Sequence, residues 1–130
     1  MVDEVLVKIL ITKILVVNND FDTMSLLQNW LERKAYKVRY TGNGQQVTQL
    51  AKEFKPDIVL IDILQKEAAE ALKNDEVTAA IPLLLMIGYT NSSKNFQVLS
   101  DEIIEKPFSL QLLQRKLEDL LHKITIKQGI

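Results

Sequence analysis

Short apolar runs separated by stretches of helical spacing constrain this chain more than any other feature. Lys13–Val17, Asp57–Ile61 and Pro82–Ile87 are almost unbroken Val, Ile and Leu. That is the pattern of strands covered on both faces of a parallel sheet. Glu102–Ile104 is a shorter run of the same kind, and Lys37–Tyr40 alternates and carries an aromatic residue, which suits an edge strand.

Between these runs the period becomes helical. Phe21, Met24, Leu27, Trp30 and Leu31 form one stripe, on a helix beginning near Asp20 or Asp22. Val47, Leu50, Ala51 and Phe54 form a second, after the turn dipeptide Asn43-Gly44, and Pro56 stops it. Leu110, Leu113, Leu117, Leu120, Leu121 and Ile124 form the last, with Ser109 as N-cap. Shorter helices are expected over Lys66–Lys73 and within Lys94–Leu99. Strands alternating with helices imply right-handed crossovers and a parallel sheet with helices on both faces.

Composition narrows the function classes. The 130 residues and 14.9 kDa are one domain's worth, with enough surface to bury for a real core. The absence of cysteine excludes disulfides, Cys-based zinc sites and thiol chemistry. A single histidine, His122, excludes a multi-histidine metal site within one chain. Sixteen Lys and Arg against seventeen Asp and Glu give a net charge of −1, which argues against nucleic acid as a partner. No apolar run is long enough to span a membrane, and Asp3 and Glu4 stand where a signal peptide needs positive charge. The expectation is a soluble, cytoplasmic domain over residues 13–124, with an extension over 1–12 and a tail over 125–130. Val5–Ile11 reads as strand or as amphipathic helix, and a second copy of the chain is one surface it could cover.

Ligands of such folds bind beyond the carboxyl ends of the strands. There the chain places Asn18, Asn19 and Asp20 after the first strand, Asp62 after the third, Gly88, Tyr89 and Thr90 after the fourth, and Lys106-Pro107 after the fifth. Asp62 follows Ile58–Ile61 and precedes Ile63, so its carboxylate needs a counter-charge or a turn to cap. Lys106 supplies the charge if the first, third and fifth strands converge.

The stretches KILVVNNDFDT, GNGQQVTQLAKEFKPDIVLIDI, TAAIPLLLMIGYT and EIIEKPFSLQLLQRKL together resemble the receiver domains of two-component response regulators, from about Lys13 to His122. The resemblance implies a three-layer α/β/α domain, doubly wound and flavodoxin-like, with a five-stranded parallel sheet in the order 2-1-3-4-5. It implies that Asp62 is the position phosphorylated by a histidine kinase and that Lys106 contacts the phosphoryl group. It also makes Lys106-Pro107 a candidate cis peptide. The implied role is signalling, not enzymatic catalysis, with a kinase, another receiver or a second copy as partner.

Several positions depart from the family pattern. The acidic pair that binds Mg²⁺ is replaced by Asn18 and Asn19, leaving Asp20 as the next carboxylate. The Thr or Ser that bonds the phosphoryl oxygen is replaced by Ile87, with Thr90 three residues on. The aromatic switch position is Ile103, and the Pro-Gly-Met-Asp-Gly-like loop after the acceptor is missing. Two fewer negative charges weaken a hard-cation site, so Mg²⁺ is expected to bind weakly or not at all. Without it phosphoryl transfer is slow, and two isoleucines supply no phosphorylation-dependent contact. The reading is a degenerate receiver, read by its partners around Phe96–Ser100, Glu102 and Ser109–Lys123. The alternative is a working phosphoacceptor at Asp62. A flavin or nucleotide binder on the same fold lacks a glycine-rich phosphate loop in Asn18–Thr23, and a hydrolase lacks a G-x-S-x-G motif.

Overall fold

The computed structural model describes residues 12–34, 36–88 and 100–127. Five strands, β1 (Lys13–Val17), β2 (Lys37–Thr41), β3 (Ile58–Asp62), β4 (Leu83–Ile87) and β5 (Glu102–Glu105), form one sheet in the order β2-β1-β3-β4-β5. Every neighbouring pair is parallel. The helices are α1 (Phe21–Arg33), α2 (Val47–Phe54), α3 (Lys66–Asn74) and α4 (Leu110–Lys127). This is the doubly wound α/β/α architecture and strand order expected from the sequence. No helix among the described residues is long and apolar enough to cross a membrane.

Alternation along the strands divides the core in two. Ile14, Val16, Ile58, Leu60, Leu84, Met86 and Ile104 face α1 and α4, where Leu27, Leu31, Leu113, Leu117 and Leu120 meet them. Leu15, Val17, Val59, Ile61, Leu83, Leu85 and Ile87 face α2 and α3, meeting Val47, Ala51, Phe54, Ala69 and Leu72. The period of two in the strands and the stripes of the helices thus close on each other across both faces.

The element ends depart from the sequence reading for local reasons. β3 begins at Ile58, not Asp57, because Asp57 clamps the start of β1: its N–H donates to the Lys13 carbonyl at 2.8 Å and its Oδ2 accepts from the Lys13 N–H at 2.8 Å. β4 begins after Pro82, whose carbonyl accepts from the Val59 N–H at 3.0 Å but which has no N–H of its own to give. α2 is preceded by a 3-10 turn over Gly44–Gln46, capped by the Asn43 side chain, and ends with Lys55 at φ 55° before Pro56. Ser109 Oγ accepts from the Leu112 N–H at 3.1 Å at the start of α4, and that helix continues to Lys127, into the stretch read as tail.

Phe21 requires a correction. The apolar stripe places it on the buried face of α1, yet it is 80% exposed. It is the first residue after the Asp20 cap, so it sits beyond the end of the sheet where no core lies beneath it. Trp30 is only half buried, at the margin of the α1 core. Residues 1–11, Thr90 and the helix expected within Lys94–Leu99 lie outside the described residues.

Candidate functional site

The site is built at the carboxyl ends of β1, β3 and β5. Val17 lies beside Ile61 in the β1–β3 register, so Asn18 and Asp62 follow as neighbours. By alternation they continue the face of Val16 and Leu60, on the α1 side. The β4–β5 register ends at Ile87 and Glu105, and the Lys106 N–H donates to the Ile87 carbonyl at 2.8 Å. Lys106 therefore starts one residue beyond β5 and reaches past the end of β4 to β3.

Asp62 is 3% exposed and both its oxygens are engaged. Oδ1 accepts from the Leu64 N–H at 2.9 Å, which opens the 3-10 turn Ile63–Gln65. Oδ2 accepts from the Lys106 ammonium in an ion pair. The carboxylate thus caps a turn and is neutralised by the lysine at once. The Lys106-Pro107 peptide is cis.

The three positions after β1 have different fates. Asn18 is 1% exposed; its N–H donates to the Thr41 carbonyl at 3.0 Å, and its Oδ1 accepts from the Asp20 N–H at 2.7 Å. Its Nδ2 is buried with no hydrogen-bond partner. Asn19 is exposed. Asp20 is exposed and caps α1, its Oδ2 accepting from the Thr23 hydroxyl and from the Thr23 N–H at 3.3 Å. The Thr23 hydroxyl is the main cause holding the Asp20 carboxyl below the usual carboxylate range. Desolvation opposes it, backbone N–H groups assist it, and the Lys106 charge adds the smallest contribution. Among the described residues no group of three or more His, Cys, Asp or Glu side chains is arranged to hold a metal ion.

Ile87 and Ile103 are on the other face of the sheet from this pair. Ile87 is 4% exposed in the core beneath α2 and α3, and Ile103, partly buried, packs against that core. They bring apolar contact to that core and no donor to Asp62.

Sequence reasoning missed the rim of the site. Leu64, whose N–H holds Asp62, is 78% exposed, and Phe21, next to the Asp20 cap, is also exposed. The signal for Phe21 was the Asp20-x-x-Thr23 cap, which puts the next residue in the first turn, above the sheet. Leu64 gave none, since a lone leucine after a strand reads as core.

A doubly wound α/β domain in which a buried aspartate and a lysine meet beyond the strand ends agrees with the resemblance read from the sequence. The family model for the response regulator receiver domain matches residues 14–118, and the chain belongs to that family. It is 29% identical over 118 residues to the phosphate regulon transcriptional regulatory protein PhoB of Pseudomonas aeruginosa, covering 85% of this chain and 52% of that protein. It is 28% identical over 116 residues to the transcriptional regulatory protein SrrA of Staphylococcus aureus, covering 85% and 48%. The chain therefore spans about half the length of these curated relatives. Among solved structures, the N-terminal domain of the nisin resistance regulator NsrR is 29% identical with a TM-score of 0.72, covering 85% of this chain and 97% of that one. The receiver domain of the sensor histidine kinase PA1611 of Pseudomonas aeruginosa, with magnesium coordinated in its active site cleft, shares the fold with a TM-score of 0.78 at 19% identity, covering 85% and 98%.

Proposed function

We propose that this receiver domain is degenerate: it signals by protein–protein contact, with weak or no Mg²⁺-dependent phosphorylation, and it catalyses no reaction of its own. The observation that carries the reading is how the donors after β1 are spent. Asn18 gives its carbonyl oxygen to the Asp20 N–H, Asp20 gives its carboxylate to Thr23, and Asp62 is paired with Lys106. Magnesium takes oxygen ligands, carboxylates above all, in near-octahedral geometry. The donors present do not fit it: one carboxylate is neutralised, one caps a helix, and the amide oxygen is taken by the Asp20 N–H. With no cation to offset it, the charge of a phosphoryl group, about −1.5 to −2, is opposed at Asp62 by the single positive charge of Lys106.

The switch positions support the same reading. Ile87 and Ile103 have no group that bonds a phosphoryl oxygen; Ile87 is buried in the core and Ile103, partly buried, packs against it. A modification at Asp62 would make no contact there that differs between two states. Partners would instead read a fixed surface: a histidine kinase, another receiver or a second copy of this chain, in the cytoplasm.

The second reading is a working phosphoacceptor, phosphorylated at Asp62 by a histidine kinase. It is favoured by Asp62 and Lys106 standing together, and by the Lys106 field reaching Asp20. Intact-mass measurement after incubation with acetyl phosphate, with and without Mg²⁺, separates the two. The degenerate reading expects no phosphoryl adduct that depends on Mg²⁺. Rapid, Mg²⁺-dependent modification of Asp62, lost in Asp62→Asn, would establish the second reading in its place.

A further inference from the structure

We infer that Asn18 is a hydrogen-bond donor to an oxyanion carried on Asp62, held there without a divalent cation. This rests on the metal-free reading of the site and adds to it what the site accepts.

Chemistry fixes the orientation of the Asn18 amide. Oδ1 lies 2.7 Å from the Asp20 nitrogen and accepts its proton. Flipping the amide would bring Nδ2 against that N–H, two donors facing each other. The carbonyl oxygen is therefore committed to the backbone, and only the NH₂ group is left. An amide nitrogen of this kind has donors and no lone pair for a cation. Asn18 is therefore not a weak stand-in for a carboxylate ligand; it presents the opposite polarity.

Burial makes the group consequential. Nδ2 has no partner, and a buried unsatisfied donor carries the full cost of its desolvation. The native protein keeps it beside Asp62, one register step beyond Val17 and Ile61 and on the same face of the sheet. Lys106 lies across Asp62 with three ammonium donors, of which the ion pair needs one. Lys106 bonds the carboxylate and the Asn18 amide follows one step along the neighbouring strand, an arrangement that suits an anionic, acceptor-rich group bonded to Asp62. The chemical class is a phosphoryl-like oxyanion or its fluoride analogue.

Beryllofluoride tests this, because it bonds a carboxylate oxygen reversibly: the Asp62 oxygen displaces a water from beryllium, and no proton or electron is transferred. Binding is read by ¹⁹F NMR for the whole chain, in EDTA and in Mg²⁺. The wild type is expected to show bound fluorine signals in EDTA, with affinity changed by less than about twofold on adding Mg²⁺. Asn18→Ala should lower the affinity in EDTA about tenfold, the value of one buried hydrogen bond. Asn18→Asp keeps an acceptor for the Asp20 N–H, so the turn is preserved, but replaces the donor by a charge. It should lose binding in EDTA and regain it with Mg²⁺. Asp62→Asn should abolish the bound signals.

Retention of binding in Asp62→Asn would mean an anion not bonded to Asp62 and overturn the inference. Unchanged affinity in Asn18→Ala, with thermal melts confirming the fold, would overturn the role of Asn18. No binding in either buffer would overturn the inference and leave the degenerate reading standing. Binding by the wild type only in Mg²⁺ would overturn both.

Discussion

Lys106 and Asp62 are paired across a strand that belongs to neither of them: β4 lies between β3 and β5, and the lysine reaches past its end. The aspartate is buried and the lysine about one-third exposed, so the two are unequal in what they lose if separated. Lys106→Met leaves a buried carboxylate whose remaining protein partner is the Leu64 N–H. The expected cost is about 1–3 kcal/mol, below the value for a fully buried pair because water reaches the lysine side. Asp62→Asn in the same chain removes the orphaned charge and should recover most of the loss. Urea denaturation of the single and double variants measures this, and a Lys106→Met variant as stable as the wild type would show that the pair contributes nothing.

Tyr40 gives a prediction of opposite sign. Its hydroxyl is buried without a hydrogen-bond partner, against the α1 core. Burial, assisted by the Glu32 charge, pushes its ionisation up to about 12. The folded value lies above the unfolded one near 10, so this contribution to stability is complete below pH 10 and lost as pH rises through 12. Tyr40→Phe removes an unsatisfied hydroxyl and should stabilise the fold by up to about 1 kcal/mol at neutral pH. It should also flatten the fall in stability on the alkaline side. A loss of more than about 1 kcal/mol in thermal or urea melts would mean that the hydroxyl has a partner after all.

Glu102 sets the acid side. Burial raises its carboxyl, but the Ile103 N–H at 3.1 Å and the Lys116 ammonium at 3.0 Å outweigh it, and the net shift is downward. Asp75 is lowered by Lys52 first and by the Val77 N–H next, and Asp20 by Thr23. Groups with folded values below their unfolded ones give stability that is present above the ordinary carboxylate range and lost as pH falls through the folded values. The urea midpoint should therefore hold steady near neutrality and drop below about pH 4.5. In Glu102→Gln the drop should be shallower, while the midpoint at pH 7 falls with the lost Lys116 pair. An identical acid profile in the variant would remove Glu102 from the account.

Much of the fold was legible because two periods coincide with two faces. Ile14–Val17 and Leu83–Ile87 are apolar throughout because both sides of these strands are covered, and the stripes Leu27–Leu31 and Leu113–Leu117–Leu120 repeat at helical spacing because one side is. Where the reading slipped, the surroundings of a residue in the folded chain decided the matter. Asp57 left the strand to clamp Lys13, forty-four positions away, and Phe21 fell beyond the sheet although its spacing matched the stripe. At the site the residue types and their order after each strand were readable, but atom directions were not. That Asn18 faces inward with its NH₂ follows from one hydrogen bond to Asp20, which exists only once the turn has formed. The exposure of Leu64 likewise follows from the turn that Asp62 caps.

Lys55 is in the left-handed region, where a side chain costs on the order of 1 kcal/mol. It ends α2 with its N–H donating to the Ala51 carbonyl at 2.8 Å, a position that glycine occupies at lower cost. Glycine also loses more freedom on folding, which offsets part of the gain. Lys55→Gly should therefore raise stability by about 0.5 kcal/mol. Thermal melts would show a small increase, and a decrease would mean that the lysine side chain makes a stabilising contact at the amino end of the sheet.

The last prediction concerns what the two asparagines withhold. Asn18→Asp preserves the bond to the Asp20 N–H with one oxygen and turns a second oxygen, with lone pairs and charge, where Nδ2 now is. Asn19→Asp adds an exposed carboxylate one residue on. Together with Asp62 they would form an acidic set around Lys106, with more negative charge than one ammonium neutralises. At short range in a partly buried site each added charge is worth enough to change cation affinity about tenfold or more. The double variant should thus bind Mg²⁺ measurably by calorimetry where the wild type does not, and should bind it more weakly as salt rises. Acetyl phosphate should then modify Asp62 in a Mg²⁺-dependent way. Ile87 and Ile103 would still offer the phosphoryl group no hydroxyl, so the surface read by partners should change little. If the double variant gains no cation affinity, the obstacle is the Asp62–Lys106 pair itself and not the asparagines beside it.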